Sequence, residues 1–197
     1  MTARTYEMDD LAPVERKGSG VRVAGERLLT YDVTVVAADV EGVVGAAGGW
    51  LCDRVRAGWQ VTVLVPPGRD ERALTILGVR SGVWDSGVDA LRRQRPAALA
   101  VDARVLSHDN PLRLEVFRTV DGGSAEVTVW GESGVFAADR RFSRVRHRLS
   151  AAARAFKVRA LLSSGVAGPA PAVEEFVSSA LWYPTDGADL VPIPDRQ

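Results

Sequence analysis

The stretch from Tyr31 to Pro66 constrains this chain more than any other, because two short apolar runs flank a cluster of glycines and a helical pattern. Tyr31-Asp32-Val33-Thr34-Val35-Val36-Ala37-Ala38 is β-branched and nearly continuous in apolar character after Asp32, which suits a strand covered on both faces of a parallel sheet. Trp50 to Ala57 puts Leu51 and Val55 at helical spacing with Val44 and Ala47, and Gly58 supplies a left-handed stop. Gln60 to Val65 reads as a second buried strand, closed by Pro66-Pro67-Gly68. Two strands joined by a helix of this length are expected to be parallel and linked by a right-handed crossover.

The chain has 197 residues, 46% of them hydrophobic, enough for one sizeable core and too few to need two. The expected organisation is a flexible leader over 1–25, an α/β domain over 26–165, and a proline-containing tail over 166–197 that is packed on the domain or loose. Ala73 to Val79 reads as a third strand or as a helix ended by Gly78. Residues 83–94 and 97–107 read as helices, Asn110-Pro111 opens another over Leu112 to Val120, and Ala125 to Trp130 alternates as a strand. Asp139 to Ser164 carries the longest helical pattern, with Phe142, Val145, Leu149, Ala152, Phe156 and Ala160 on one stripe. Val173 to Leu181 reads as a short helix, and Trp182-Tyr183-Pro184 as an anchor for the tail. The fold class is thus α/β and three-layered, with a short, mostly parallel sheet, a Rossmann-like βαβ unit and a long C-terminal helix.

Twenty-five basic and 25 acidic side chains cancel, so the global field favours neither nucleic acid nor an anionic membrane. The single cysteine, Cys52, excludes an internal disulfide framework and reads as a small core residue. With no apolar run of signal-peptide or membrane-spanning length, a cytoplasmic location is expected.

Gly42, Gly45, Gly48 and Gly49 form a glycine turn between strand and helix, where backbone amides can approach a ligand. The spacing matches neither G-x-G-x-x-G nor the phosphate-loop pattern, and no lysine follows. Asp39 and Glu41 make the mouth acidic, so a ligand held by Asp39, Glu41, Gly42, Gly45 and Gly48 is expected to be a cation or a polyol rather than a phosphate. Close packing of helix on sheet serves these glycines equally well.

Ala37 to Leu51, followed by Ala57 to Val65, resembles the N-terminal βαβ unit of the PIG-L/LmbE zinc-dependent N-acetylglucosaminyl deacetylases, over about 30 residues. That family has a His-Pro-Asp-Asp motif after its strand; here its positions hold Asp39, Val40, Glu41 and Gly42. The family's downstream histidine motif is echoed only by Ser107-His108-Asp109-Asn110, which also suits a surface turn and helix cap. The resemblance implies the fold and, for a divergent metal-dependent hydrolase, a divalent ion among Asp39, Glu41 and His108; oxygen-rich ligands favour a harder metal than zinc.

Eight Lys/Arg fall between Arg140 and Arg159 with no acid among them. On a helix, Arg140, Arg141, Arg144, Arg148 and Arg159 gather beside the apolar stripe, a surface for nucleic acid or an acidic partner, or an amphipathic helix with hydrated heads. No Ser-His-Asp nucleophile elbow is present. The leading reading is a non-catalytic binding or regulatory protein of unknown ligand and cofactor. The alternatives are the divergent hydrolase and binding through the basic helix.

Overall fold

The computed structural model describes residues 21–24, 27–85, 87–132, 134–179 and 190–193, with side chains from Tyr31 onward. A hairpin of β1 (Val21–Ala24) and β2 (Arg27–Thr30) precedes the main sheet. The chain then runs β3 (Asp32–Val36), α1 (Val40–Arg56), β4 (Gln60–Val65), α2 (Arg72–Leu77), β5 (Arg80–Val83), α3 (Val88–Gln94) and β6 (Ala98–Asp102). It continues through α4 (Ala103–His108), α5 (Asn110–Asp121), β7 (Glu126–Trp130), α6 (Gly134–Ala137), β8 (Ser143–Arg148), α7 (Ala151–Ser163), β9 (Val173–Ser178) and β10 (Val191–Pro192). The eight-stranded order is β10-β8-β9-β7-β6-β3-β4-β5, parallel from β7 through β5 and antiparallel beyond β7.

The central strands alternate between two cores, which makes the fold three-layered. Val33, Val35, Ala98 and Ala100 face the layer of α1, α2 and α7; Val36, Leu99, Val101, Val127 and Val129 face α3, α4, α5 and α6. Strands buried on both sides need continuous apolar runs, as β3 and β6 show.

The βαβ unit stands as expected: β3 and β4 are parallel neighbours, and Gly58 adopts φ 91° after the last turn of α1. The ambiguous segment after it is the helix α2, ended by Gly78 at φ 77°.

Several expected elements differ. The 97–107 helix is the strand β6 followed by α4, because Ala98 to Asp102 is enclosed by β3 and β7 and buried throughout. The 83–94 helix is confined to α3, after the edge strand β5. The long helix over 139–164 is β8 and then α7, started by Ser150, whose side chain accepts from Ala153 N. In β8 and the residue after it, Val145, His147 and Leu149 are buried while Arg144, Arg146 and Arg148 stay exposed, a period of two. Val173 to Ser178 is not a helix but the strand β9, between β8 and β7. The sheet is therefore longer than expected, and Trp182-Tyr183-Pro184 lies outside the described residues.

The glycine cluster also changes character. α1 begins at Val40, so Gly42 to Gly49 lie inside the helix instead of in a turn before it. A methyl group on Gly49 would run into Leu149 Cδ2, and one on Gly48 would come within 3.2 Å of Leu77 Cδ1. Their absence lets α1 press against α2 and the start of α7.

At the same level a buried ion pair meets the backbone of α1. Glu174 of β9 accepts from Gly49 N at 2.9 Å and Trp50 N at 2.7 Å, and also from Lys157 of α7. Lys157 Nζ donates to Gly45 O at 2.6 Å. Lys157 and Glu174 are 0% and 3% exposed, so each charge depends on the other and on the helix's own amides and carbonyl. Replacing Lys157 by Met leaves the Glu174 carboxylate buried and uncompensated. It is expected to cost about 3–5 kcal/mol, read from urea unfolding midpoints; a loss under about 1 kcal/mol would show the pair to be dispensable.

Candidate functional site

From β3 the chain builds β4 and β5 on one side and then crosses to build β6 and β7 on the other, so β3 and β6 form the topological switch point of the parallel sheet. Ligands of open α/β sheets bind beyond the carboxyl ends of strands at such a point. Here each strand leads into an aspartate that starts a helix, Asp102 as the last residue of β6 and Asp39 just beyond the end of β3. Asp39 caps α1, accepting from Gly42 N at 2.6 Å, and Asp102 caps α4, accepting from Arg104 N at 2.9 Å.

Arg104 joins the two caps. Its Nη1 donates to Asp39 Oδ2 at 2.8 Å and its Nη2 to Asp102 Oδ2 at 2.7 Å, while Nε lies 3.2 and 3.1 Å from the two Asp102 oxygens. Asp102 is 1% exposed and also receives the Ala38 amide at 3.5 Å; the guanidinium is half exposed. Gly42 makes room for this arrangement: a methyl there would run into Arg104 Nη2 and sit 2.8 Å from Asp39 Oδ1.

Burial alone would raise the Asp39 carboxyl, but the Gly42 amide and the Arg104 guanidinium outweigh it and hold its pKa below the ordinary value of 3.8. The bonds to Asp102, and then to Asp39, overcome desolvation and push Arg104 further above its ordinary range.

Two concavities flank this pair. One of about 480 Å³ is bordered by Gly42, Asp102, Arg104, Ser107, His108, Trp130 and Glu132. The other, about 390 Å³, lies along Ala37, Ala38, Pro66, Trp84, His108 and Asp109. The indole nitrogens of Trp130 and Trp84 and one Asp109 oxygen are buried without a partner among the described residues.

The expected metal set is not assembled. Asp39 is engaged by Arg104, Glu41 is exposed on the first turn of α1, and His108 Nδ1 lies 2.9 Å from Arg104 O at the end of α4. Among the described residues no three His, Cys, Asp or Glu side chains are grouped to hold an ion. With a guanidinium already between the carboxylates, and the His108 imidazole set against the Arg104 carbonyl instead of grouped with them, these residues do not fit zinc.

The expected glycine cradle is dispersed as well. Gly42 borders the crevice, Gly45 is exposed and offers its carbonyl to Lys157, and Gly48 is buried against α2.

The basic residues share no helical face. Arg140 sits in a turn and Arg141 binds Asp139 and Asp121 above the Phe117 ring. Arg144 and Arg148 are on β8 and Arg159 is on α7. Lys157, counted among the flanking cations, is internal. Cys52 is buried in the core, as expected, and burial pushes its thiol pKa up.

Away from the crevice, Asp53 accepts from Ser150 Oγ at 2.6 Å and Ser150 N at 3.0 Å, and lies 3.0 Å from His147 Nε2. The carboxylate sits between serine and histidine, so this trio anchors the start of α7 to α1 and does not activate a hydroxyl.

Arg104 and Asp102 were absent from the sequence expectations. One signal was available: Asp102 follows the apolar run Ala98 to Val101 as Asp39 follows Val33 to Ala38, so both mark strand ends that begin helices. The pairing across 65 positions had no local trace.

Because the folded-state pKa of Asp39 is depressed, its contribution to stability is complete above the unfolded value near 3.8 and is lost as pH falls through the lower folded value. Asp39→Ala is expected to cost about 1 kcal/mol at neutral pH through the lost cap. In urea unfolding, that difference should shrink toward about pH 2; an unchanged difference there contradicts the ion pair.

No family model matches the sequence, and no curated protein matches it. Solved structures do. A deacetylase of teicoplanin biosynthesis, in complex with teicoplanin, aligns at 12% identity over 83% of this chain and 100% of that one, with TM-score 0.51. A conserved protein from Thermus thermophilus aligns at 20% identity over 81% of this chain and 100% of its own, with TM-score 0.50. At such identities the likeness is one of architecture, and it extends the resemblance from the first βαβ unit to most of the chain. The chain has the α/β fold of the PIG-L/LmbE-type deacetylases.

Proposed function

We propose that the protein binds a neutral polyol of the sugar class in the crevice at the ends of β3, β6 and β7, without turning it over. The observation that carries this reading is the guanidinium of Arg104 lying between the Asp39 and Asp102 carboxylates. It removes the acidic mouth that would attract a cation, and it leaves the carboxylates occupied. What borders the crevice is a mixed set: the guanidinium of Arg104, the hydroxyl of Ser107, the imidazole of His108 and the carboxylate of Glu132. Sugar hydroxyls both donate and accept, so they match such a set without bringing net charge.

A second reading, a divergent hydrolase of the deacetylase class, draws support from a different observation. The teicoplanin-bound structural neighbour is a deacetylase, and that kinship favours hydrolysis over a non-catalytic role. The side chains of this chain favour the reverse.

Calorimetric titration with hexoses, hexosamines and their N-acetyl forms, run beside an assay for released acetate, separates the two. Saturable binding with no acetate, weakened at least about tenfold by Arg104→Ala, is the expected result. Turnover that disappears on Asp39→Asn or Asp102→Asn would establish the hydrolase, and absence of binding to every sugar would remove the polyol reading.

A further inference from the structure

We infer that Arg104 is a built-in replacement for a divalent cation, its guanidinium occupying the place between the Asp39 and Asp102 carboxylates that a hard metal ion would otherwise take. The two carboxylates lie at the ends of adjacent parallel strands, Asp39 just beyond β3 and Asp102 closing β6, and reach the same guanidinium at 2.8 and 2.7 Å. Asp102 is 1% exposed, so water cannot solvate its charge, and two carboxylates converging there need a cation between them. The chain supplies that cation two residues after Asp102.

Gly42 is the third part of the device. A side chain at this position would occupy the space of Arg104 Nη2. The missing Cβ also keeps clear of the Asp39 carboxylate, whose Oδ1 would lie 2.8 Å away, so Gly42 serves both partners of the ion pair.

Taking away the guanidinium therefore creates an ion site. Its ligands are carboxylate oxygens with water completing the shell, which favours Mn²⁺, Mg²⁺ or Ca²⁺ over zinc. Two carboxylates, with no third ligand grouped beside them among the described residues, set an expected affinity of about millimolar. The inference stands independently of the polyol proposal, since its test uses no organic ligand.

The test is thermal unfolding of the full chain with and without about 10 mM MnCl₂. The wild type and Arg104→Lys, which both keep a cation, should not shift. Arg104→Met should gain about 3 °C, and the double variant Asp39→Asn/Arg104→Met should lose that gain. If Arg104→Met does not fold unaided, recovery of its folded far-ultraviolet signal on adding Mn²⁺ supports the replacement, and failure to recover overturns it. A shift in the wild type equal to that of Arg104→Met, or a folded Arg104→Met that ignores the ion, also overturns it.

Discussion

The guanidinium of Arg104 holds the carboxylates that begin α1 and α4, and the open end of the sheet takes its form from that bridge. Each aspartate satisfies backbone amides that a helix start leaves without partners, so the caps would exist without the arginine. The arginine adds a tie between two parallel strands at the position where the chain reverses its direction of growth. Asp102 is buried and Arg104 half exposed, which makes the bridge firm at its base and accessible at its rim. Crevice and bridge are one feature, and any ligand entering the crevice meets the outer face of this ion pair.

Deeper in the molecule, Lys157 and Glu174 play a comparable part between α7, β9 and the middle of α1. Such a buried pair is weak evidence for net stability, because desolvation offsets much of the attraction. Its clearer effect is placement: carboxylate and ammonium together fix the depth at which α1 lies against the antiparallel half of the sheet. Gly49 permits this approach by leaving room for Leu149. The glycines that suggest a ligand loop in the sequence thus serve three separate contacts, with Arg104, Leu77 and Leu149.

The parts of the fold legible in the sequence are those whose signals are local. The β3-α1-β4 unit follows from two apolar runs and a stop at Gly58. The start of α1 was misplaced because glycine is a poor helix former, and contacts from distant segments overrode that preference. Val145 and Leu149, four apart, fit both periods; His147 decides for a strand, and it is buried against Asp53, 94 positions away. Ala98 to Asp102 looked helical by composition and is a strand because both its faces are covered. Asp39 lies in the ion pair beside the crevice, apart from Glu41 and His108, because its partner is the arginine that follows Asp102.

The chain shares an architecture with a deacetylase, and at its own switch point the group that joins the two strand ends is Arg104. Its state in solution can be followed by nitrogen-15 magnetic resonance of the guanidinium, assigned by comparison with Arg104→Lys. A guanidinium held at both ends gives separate, slowly exchanging Nη signals at neutral pH, which merge only in acid as Asp39 is protonated. A single averaged Nη signal at neutral pH, as for a freely rotating surface arginine, would contradict the bridge on which the site is built.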